Sequence, residues 1–261
     1  MIRSRLRLLA ALLTFAALSS GAGFPDDSET EGERGPFKAF QPGERLNFDL
    51  HWNGIFAGTA VLTVEPLVEI GGQPAWHFLL SVRSSPFLDL FYKVRSTFEG
   101  FTDLNFSRSL LYRKKQQEGS YRSDVRVDFD WEAGAARYEN RGKKSAETPI
   151  LPGTFDPLSV CYFLRLQDLT VGQELEAPVS DGKKCVPGRI RVVAREFVNS
   201  PAGRFDTFVL EPDLRHLEGV FKRSKAAALR VWITADEKRI PVRVKSDVKV
   251  GHFTATFVPE G

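Results

Sequence analysis

One methionine, two cysteines and four histidines are few for a chain of 261 residues, and each scarcity closes off some chemistry. The histidines, His51, His77, His216 and His252, are scattered, and none has a second His or Cys at short ligand spacing, so nothing local builds a metal site. Gly-x-Ser-x-Gly elbows, His-Glu-x-x-His pairs, P-loops and dinucleotide glycine fingerprints are all absent, so no catalytic residue and no cofactor is implied. Net charge is also close to missing. The chain is +3, from 36 basic and 33 acidic side chains, but Arg3, Arg5 and Arg7 carry that excess before any acid appears. A nucleic-acid partner normally meets a net basic domain, and none remains once those three are set aside.

Those arginines open a second pattern. They precede the apolar run Leu8–Leu18 and the small residues Ser20-Gly21-Ala22. This is the three-part layout of a secretory signal peptide, which predicts cleavage after residue 22 and a periplasmic or otherwise exported protein. The run is short for a membrane span, and no Cys follows it for acylation. No transmembrane segment is expected after cleavage. Residues 23–36, with Asp26, Asp27, Glu29, Glu31 and Glu33 and little that is apolar, predict a disordered acidic leader. One β-rich domain is expected over 37–261.

Within it the dominant period is two. Leu46, Phe48, Leu50 and Trp52 alternate with polar residues up to Asn53-Gly54, a dipeptide suited to a hairpin turn with two positive φ angles. A return strand over 56–65 carries Gly58, the mark of a bulge or a close backbone approach. Gly71-Gly72 turns into a strand with Trp76, Phe78, Leu80 and Val82 on one face. After a short helical turn near 87–92, strands follow over 94–101 and 107–116. Tyr121, Ser123, Val125, Val127, Phe129 and Trp131 then face one way, and Arg122, Asp124, Arg126, Asp128 and Asp130 the other, as on a solvated sheet face. A strand ending near Asn140 precedes a polar loop with Lys143 and Lys144. Later strands are expected over 173–180, 186–195, 205–211, 229–234, 240–246 and 250–258, with 214–226 a loop. About a dozen strands joined by tight turns predict a single large curled antiparallel sheet, or an open or closed β-barrel.

One stretch breaks the pattern. Residues 154–166 read as a central buried helix, with Thr154 or Asp156 as cap and Pro157 at a first helical position. Apolar residues cover most of its faces, so the sheet is expected to curl around it, with the rows Phe48/Trp52, Trp76/Phe78 and Phe129/Trp131 as neighbours. Cys161 on this helix and Cys185 beyond it are even in number in an exported chain, which permits a disulfide; two buried thiols fit equally well.

The acid–base candidates are modest. Asp49 and His51 share one face of a strand, where a carboxylate can orient an imidazole, but that face is opposite Leu46, Phe48 and Leu50. Asp156 reads as a helix cap, and Glu196 as a carboxylate whose burial the sequence does not fix. The many aromatics, 21 Phe, 5 Tyr and 4 Trp, fit a core or the lining of a cavity.

Four groups of residues, in order, resemble a known family. They are Gly43-Glu44 with Trp52-Asn53-Gly54-Ile55 and Ala57-Gly58; Phe155-Asp156-Pro157-Leu158-Ser159; Arg195-Glu196 with Pro201-Ala202-Gly203-Arg204-Phe205; and Trp232-Ile233-Thr234-Ala235-Asp236 with Arg239-Ile240-Pro241-Val242. From about Phe40 to Val258 the chain is similar to DUF3108, a bacterial family of unknown function. The resemblance implies an exported, mostly β protein with no established activity. The expected function is accordingly a non-enzymatic module that binds a lipid or other amphiphile of the envelope. A scaffold for an envelope protein is the alternative, and a carboxylate-dependent hydrolase the third.

Overall fold

The computed structural model describes residues 38–213, 228–248 and 251–260. The expected signal peptide, acidic leader and loop 214–226 lie outside the described residues. The chain begins with β1 (Arg45–Trp52), β2 (Ile55–Ile70), β3 (Gln73–Ser84), the short helix α1 (Pro86–Asp89), β4 (Val94–Asp103), β5 (Ser109–Glu118), β6 (Tyr121–Asp130) and β7 (Ala135–Asn140). It continues through β8 (Lys143–Lys144), β9 (Thr148–Pro149), α2 (Ser159–Arg165), β10 (Glu174–Ser180), β11 (Cys185–Ser200), β12 (Gly203–Pro212), β13 (Ala228–Thr234), β14 (Pro241–Val248) and β15 (Gly251–Val258).

All fifteen strands form one antiparallel sheet in the order β10-β11-β12-β13-β14-β15-β1-β2-β3-β4-β5-β6-β7-β8, with β9 also on β7. First and last strands meet in the middle, where Leu50 pairs with Ala255. The two edges, β7–β8 and β10, therefore belong to the middle of the chain, and the segment carrying α2 is the link between them. That link is bonded to β5 on one side and to the edge strand β10 on the other, without completing a ladder. On one side Thr154 O accepts from Ser109 N of β5 at 3.0 Å; on the other Phe155 N donates to Pro178 O at 2.8 Å, and Ser180 N to Phe155 O at 2.9 Å. The hydrogen-bonded sheet itself stays open.

Register explains the core. Leu50, Ala255, Val244, Val231, Leu210 and Val192 stand opposite one another across six strands and are all buried. A second inward row is Val64, Phe78, Gly100, Tyr112 and Val127. Outward positions carry the charges, as in the Arg137–Asp130 pair at 2.6 Å. A smaller cluster of Val198, Val209, Trp232 and Val242 packs separately from this main core.

Turn chemistry fits the sequence at Asn53-Gly54, with φ of 48° and 80°. Gly58 is a close approach, because a Cβ there would come 2.1 Å from Arg83 O. Two expectations change. Lys143 and Lys144 form a short strand on β7 and not a loop, because Arg141 and Gly142, with φ of 52° and 79°, make a tight two-residue turn. The expected helix 154–166 shrinks to Ser159–Arg165, because the backbone of Phe155 is committed to β10.

Candidate functional site

Asp156 fixes where α2 begins. Its Oδ1 accepts from Leu158 N at 2.8 Å and Ser159 N at 2.9 Å, which is the capping bond expected of this residue. Ser109 completes the joint: its Oγ donates to Asp156 Oδ2 at 2.7 Å and accepts from Asp156 N at 2.8 Å. The cap sits directly on the sheet because residue 100 is glycine. A Cβ there would lie 2.5 Å from Ser159 Oγ and 2.8 Å from Asp156 Oδ1.

Complete burial pushes the Asp156 carboxyl above its ordinary value of 3.8, against the pull of its hydrogen bonds from Ser109, Ser159 and Leu158. Native Asp156 thus holds its proton to higher pH than the unfolded chain does. Stability from this group is full below 3.8 and is lost as pH rises through the raised value. Asp156→Asn keeps the capping oxygen and removes the titration, so the variant-minus-wild-type difference in urea midpoint should grow in the variant's favour as pH rises from about 4 to 7. A pH-independent difference rejects this.

Above the cap, α2 packs into an aromatic cluster. Tyr162 stacks on Phe78 at 3.8 Å between centroids and meets Phe40 edge-on at 5.1 Å. Phe40 in turn lies edge-on to Trp76 at 5.3 Å, and Phe155 reaches Phe163 at 4.9 Å. Of the three aromatic rows expected around the helix, Trp76/Phe78 is in this cluster; of Phe48/Trp52, Phe48 faces the helix across a cavity while Trp52 stacks on Phe253 at 6.1 Å, and Phe129 stacks on Trp131 at 6.3 Å. Burial pushes the phenols of Tyr162 and Tyr112 well above 10.0, so both stay neutral near pH 7.

The last residue of α2 is the charged one, and it closes this end of the interior. Arg165, with a side chain 3% exposed, grips Glu44 through two bonds of 2.5 and 2.8 Å. It also donates to Ala39 O at 2.7 Å and twice to Lys238 O, at 2.9 and 3.1 Å. Three segments distant in sequence are held at one point.

Between α2 and the sheet lies an apolar cavity of about 60 Å³. Leu158, Cys161 and Tyr162 of the helix segment line it, facing Phe48, Leu80 and Ile233 of the sheet, with Arg165 as the charged residue in its wall. The interior is more polar farther along β5. Lys114 stands between Phe98 and Val125, and its burial lowers the ammonium pKa while Asp181 pulls it back up.

The residues singled out in the sequence do not converge. His51 packs on the ring of Phe56 at 5.7 Å, with no hydrogen bond to Asp49. His77 pairs with Glu99 at 3.1 Å on the outer face. Glu196 is exposed and accepts from Trp232 Nε1 at 2.7 Å. Cys161 and Cys185 are not joined to each other and have separate neighbours: Cys161 Sγ lies 3.7 Å from Pro157 O, and Cys185 Sγ 3.4 Å from Thr154 Oγ1. The expected bridge between them remains a proposal, and forming it would draw both from these partners. Among the described residues no cluster of His, Cys, Asp or Glu is arranged to hold a metal ion. None of their helices is long and apolar enough to cross a membrane. Sequence reasoning overlooked Ser109 and the Glu44–Arg165 pair. An arginine in an otherwise apolar helix was the available signal, since a buried charge needs a partner.

Comparison with solved structures finds loosely superposable β proteins. A β-barrel-like protein of domain of unknown function DUF1849 from Brucella abortus is 12% identical, with 82% of this chain and 94% of that one covered and a TM-score of 0.49. A presumed exported protein with a YmcC-like fold from Bacteroides fragilis is 11% identical, over 83% and 94% of the two chains, at 0.33. A presumed lipoprotein from Parabacteroides distasonis is 7% identical, over 83% and 94%, at 0.34. No curated protein matches the chain in sequence. The family model for DUF3108, proteins of unknown function, matches residues 47–258, which run from β1 to the last residue of β15 and so take in the whole sheet; the chain belongs to that family.

Proposed function

We propose that the chain is an exported, non-enzymatic envelope module that holds an apolar or amphiphilic molecule inside its curled sheet, beside α2. The observation that carries this reading is the cavity, whose wall is apolar on both the helix side and the sheet side apart from Arg165. Apolar cavities stay dry, and one of about 150 Å³ takes up benzene. At about 60 Å³ this cavity accommodates the end of a chain or a branched methyl group. Export rests on the arginines, apolar run and small residues before Gly23. The non-enzymatic part rests on Asp156 being spent as a cap and on the lack of a hydrogen bond between Asp49 and His51.

Native mass spectrometry of protein from the envelope fraction tests the reading. A mass beginning near Gly23 is expected, with an adduct that lipid extraction removes. Filling the cavity with Val231→Ile and Val244→Ile should abolish the adduct. It should also raise stability by about 1 kcal/mol, since empty volume costs about 24 cal/mol per Å³. An adduct that survives the filling, or a wild type without one, sinks the proposal.

A further inference from the structure

The end of the sheet bearing α1 combines two features that no element of the fold uses. The first is an exposed apolar tip. Phe87, Leu90 and Phe91 are 63%, 77% and 75% exposed, and the rings of Phe87 and Phe91 meet at 5.8 Å. The neighbouring hairpin adds Ile55, 63% exposed, and Phe56, because Ser85 N donates to Ala57 O at 2.9 Å and Gly58 pairs with Ser84. Exposed apolar groups gathered in this way mark an interaction surface. The acid within the tip is already neutralised. Asp89 is bound by Arg95 through bonds of 2.5 and 3.1 Å and by Ser84 Oγ at 2.5 Å.

The second feature is a basic concavity of about 460 Å³ on the outer face of β3–β6, bordering that tip. Arg83, Arg95, Lys115, Arg122 and Arg141 line it, and among the described residues of its wall Asp124, opposite Lys115, is the one acid. Register shows why it is basic: Arg83 stands directly opposite Arg95, and Gln117 opposite both Arg95 and Arg122, in the last rows before the rim. Like charges directly opposed across a ladder are unfavourable. Asp89 answers Arg95 from the tip, but among the described residues Arg83, Lys115 and Arg141 have no ion pair.

We propose that this rim docks on an anionic membrane surface, with Phe87, Leu90 and Phe91 entering the boundary between headgroups and acyl chains and the concavity receiving lipid phosphates. Charge complementarity decides the occupant. A merely apolar partner leaves Arg83, Lys115, Arg122 and Arg141 without a counter-charge, whereas an anionic bilayer offers acyl chains and phosphates side by side. Lysines and arginines close to such a surface contribute about fivefold each to binding. The inference stands apart from the cavity reading, since neither the tip nor the concavity shares a residue with the cavity.

Co-sedimentation with vesicles of phosphatidylcholine containing about 30% phosphatidylglycerol tests it, against vesicles of pure phosphatidylcholine. Binding is expected only to the anionic vesicles and should weaken steeply at about 0.5 M salt. Arg83→Ser with Arg122→Ser should lower affinity about thirtyfold. Phe87→Ser with Leu90→Ser and Phe91→Ser should lower it at least a hundredfold. The emission of a Phe91→Trp variant should shift to the blue on anionic vesicles, which gives a readout even if the triple variant folds poorly. No binding by the wild type, or binding that survives the triple substitution, overturns the proposal; the latter would place the contact elsewhere. Concentration-dependent self-association abolished by the triple substitution, with no vesicle binding, also overturns it and assigns the rim to a second copy. The cavity-filling variant should bind vesicles as the wild type does, which separates failure here from failure of the cavity reading.

Discussion

Arg165→Ala should lower the unfolding free energy by about 3–5 kcal/mol, a large loss for a single polar side chain. Removing the guanidinium leaves Glu44, with a side chain 15% exposed, without its counterion in a largely dry site. It also frees the carbonyls of Ala39 and Lys238, which are satisfied here by Arg165. The favourable contacts of the guanidinium over the rings of Phe40 and Tyr162, at 5.3 and 5.4 Å, go with it. The cost is mainly that of the stranded partner, so replacing both members, Arg165→Met with Glu44→Leu, should recover much of it. Urea titration of the two single variants and the double variant measures the coupling. A midpoint for Arg165→Ala within about 0.5 kcal/mol of wild type would show the pair behaving as an ordinary surface contact.

That pair also marks where the sequence stops being readable. Strand identity was legible because it is local. Tyr121 through Trp131 alternates residue by residue, and Ser123, Val125, Val127 and Phe129 are indeed the buried set. Hairpins were legible where the turn needs positive φ and the sequence supplies glycine, as at Gly54, Gly72 and Gly134. Arg141-Gly142 offered the same cue, but its strand was only two residues long and too polar to announce itself.

Pairing over long distances left no local trace. Nothing in Phe48 says that it stands opposite Phe257, and the open edges fall in the middle of the chain for reasons of topology alone. The helix was overextended for a related reason. Thr154–Leu158 has a helix-start composition, and Asp156 does cap, but the preceding residue obeys β10, which the sequence does not place beside it. Glu196 was unassigned because its environment depends on a tryptophan 36 residues away. Most of the candidate site has this character: Ser109 meets Asp156 across 47 positions, and Arg165 meets Glu44 across 121.

Tyr162→Ala should cost about 3–5 kcal/mol, as for other large aromatic side chains in a core. Its ring is fully buried against Phe78 and Phe40, whereas Phe163, equally apolar in the sequence, is only half-buried. Phe163→Ala should therefore cost clearly less, which separates the face of α2 turned to the core from the one beside it. The hydroxyl contributes little, since its bond to Thr63 O is a long 3.4 Å, and Tyr162→Phe should stay within about 1 kcal/mol of wild type. Tyr162 also lines the cavity of about 60 Å³, so truncation joins the vacated ring space to it. The enlarged space is apolar and should take small apolar guests: benzene should raise the urea midpoint of Tyr162→Ala and leave that of the wild type unchanged. Equal losses for Tyr162→Ala and Phe163→Ala, or a benzene effect of the same size on wild type and variant, would mean that α2 does not present Tyr162 to an enclosed interior.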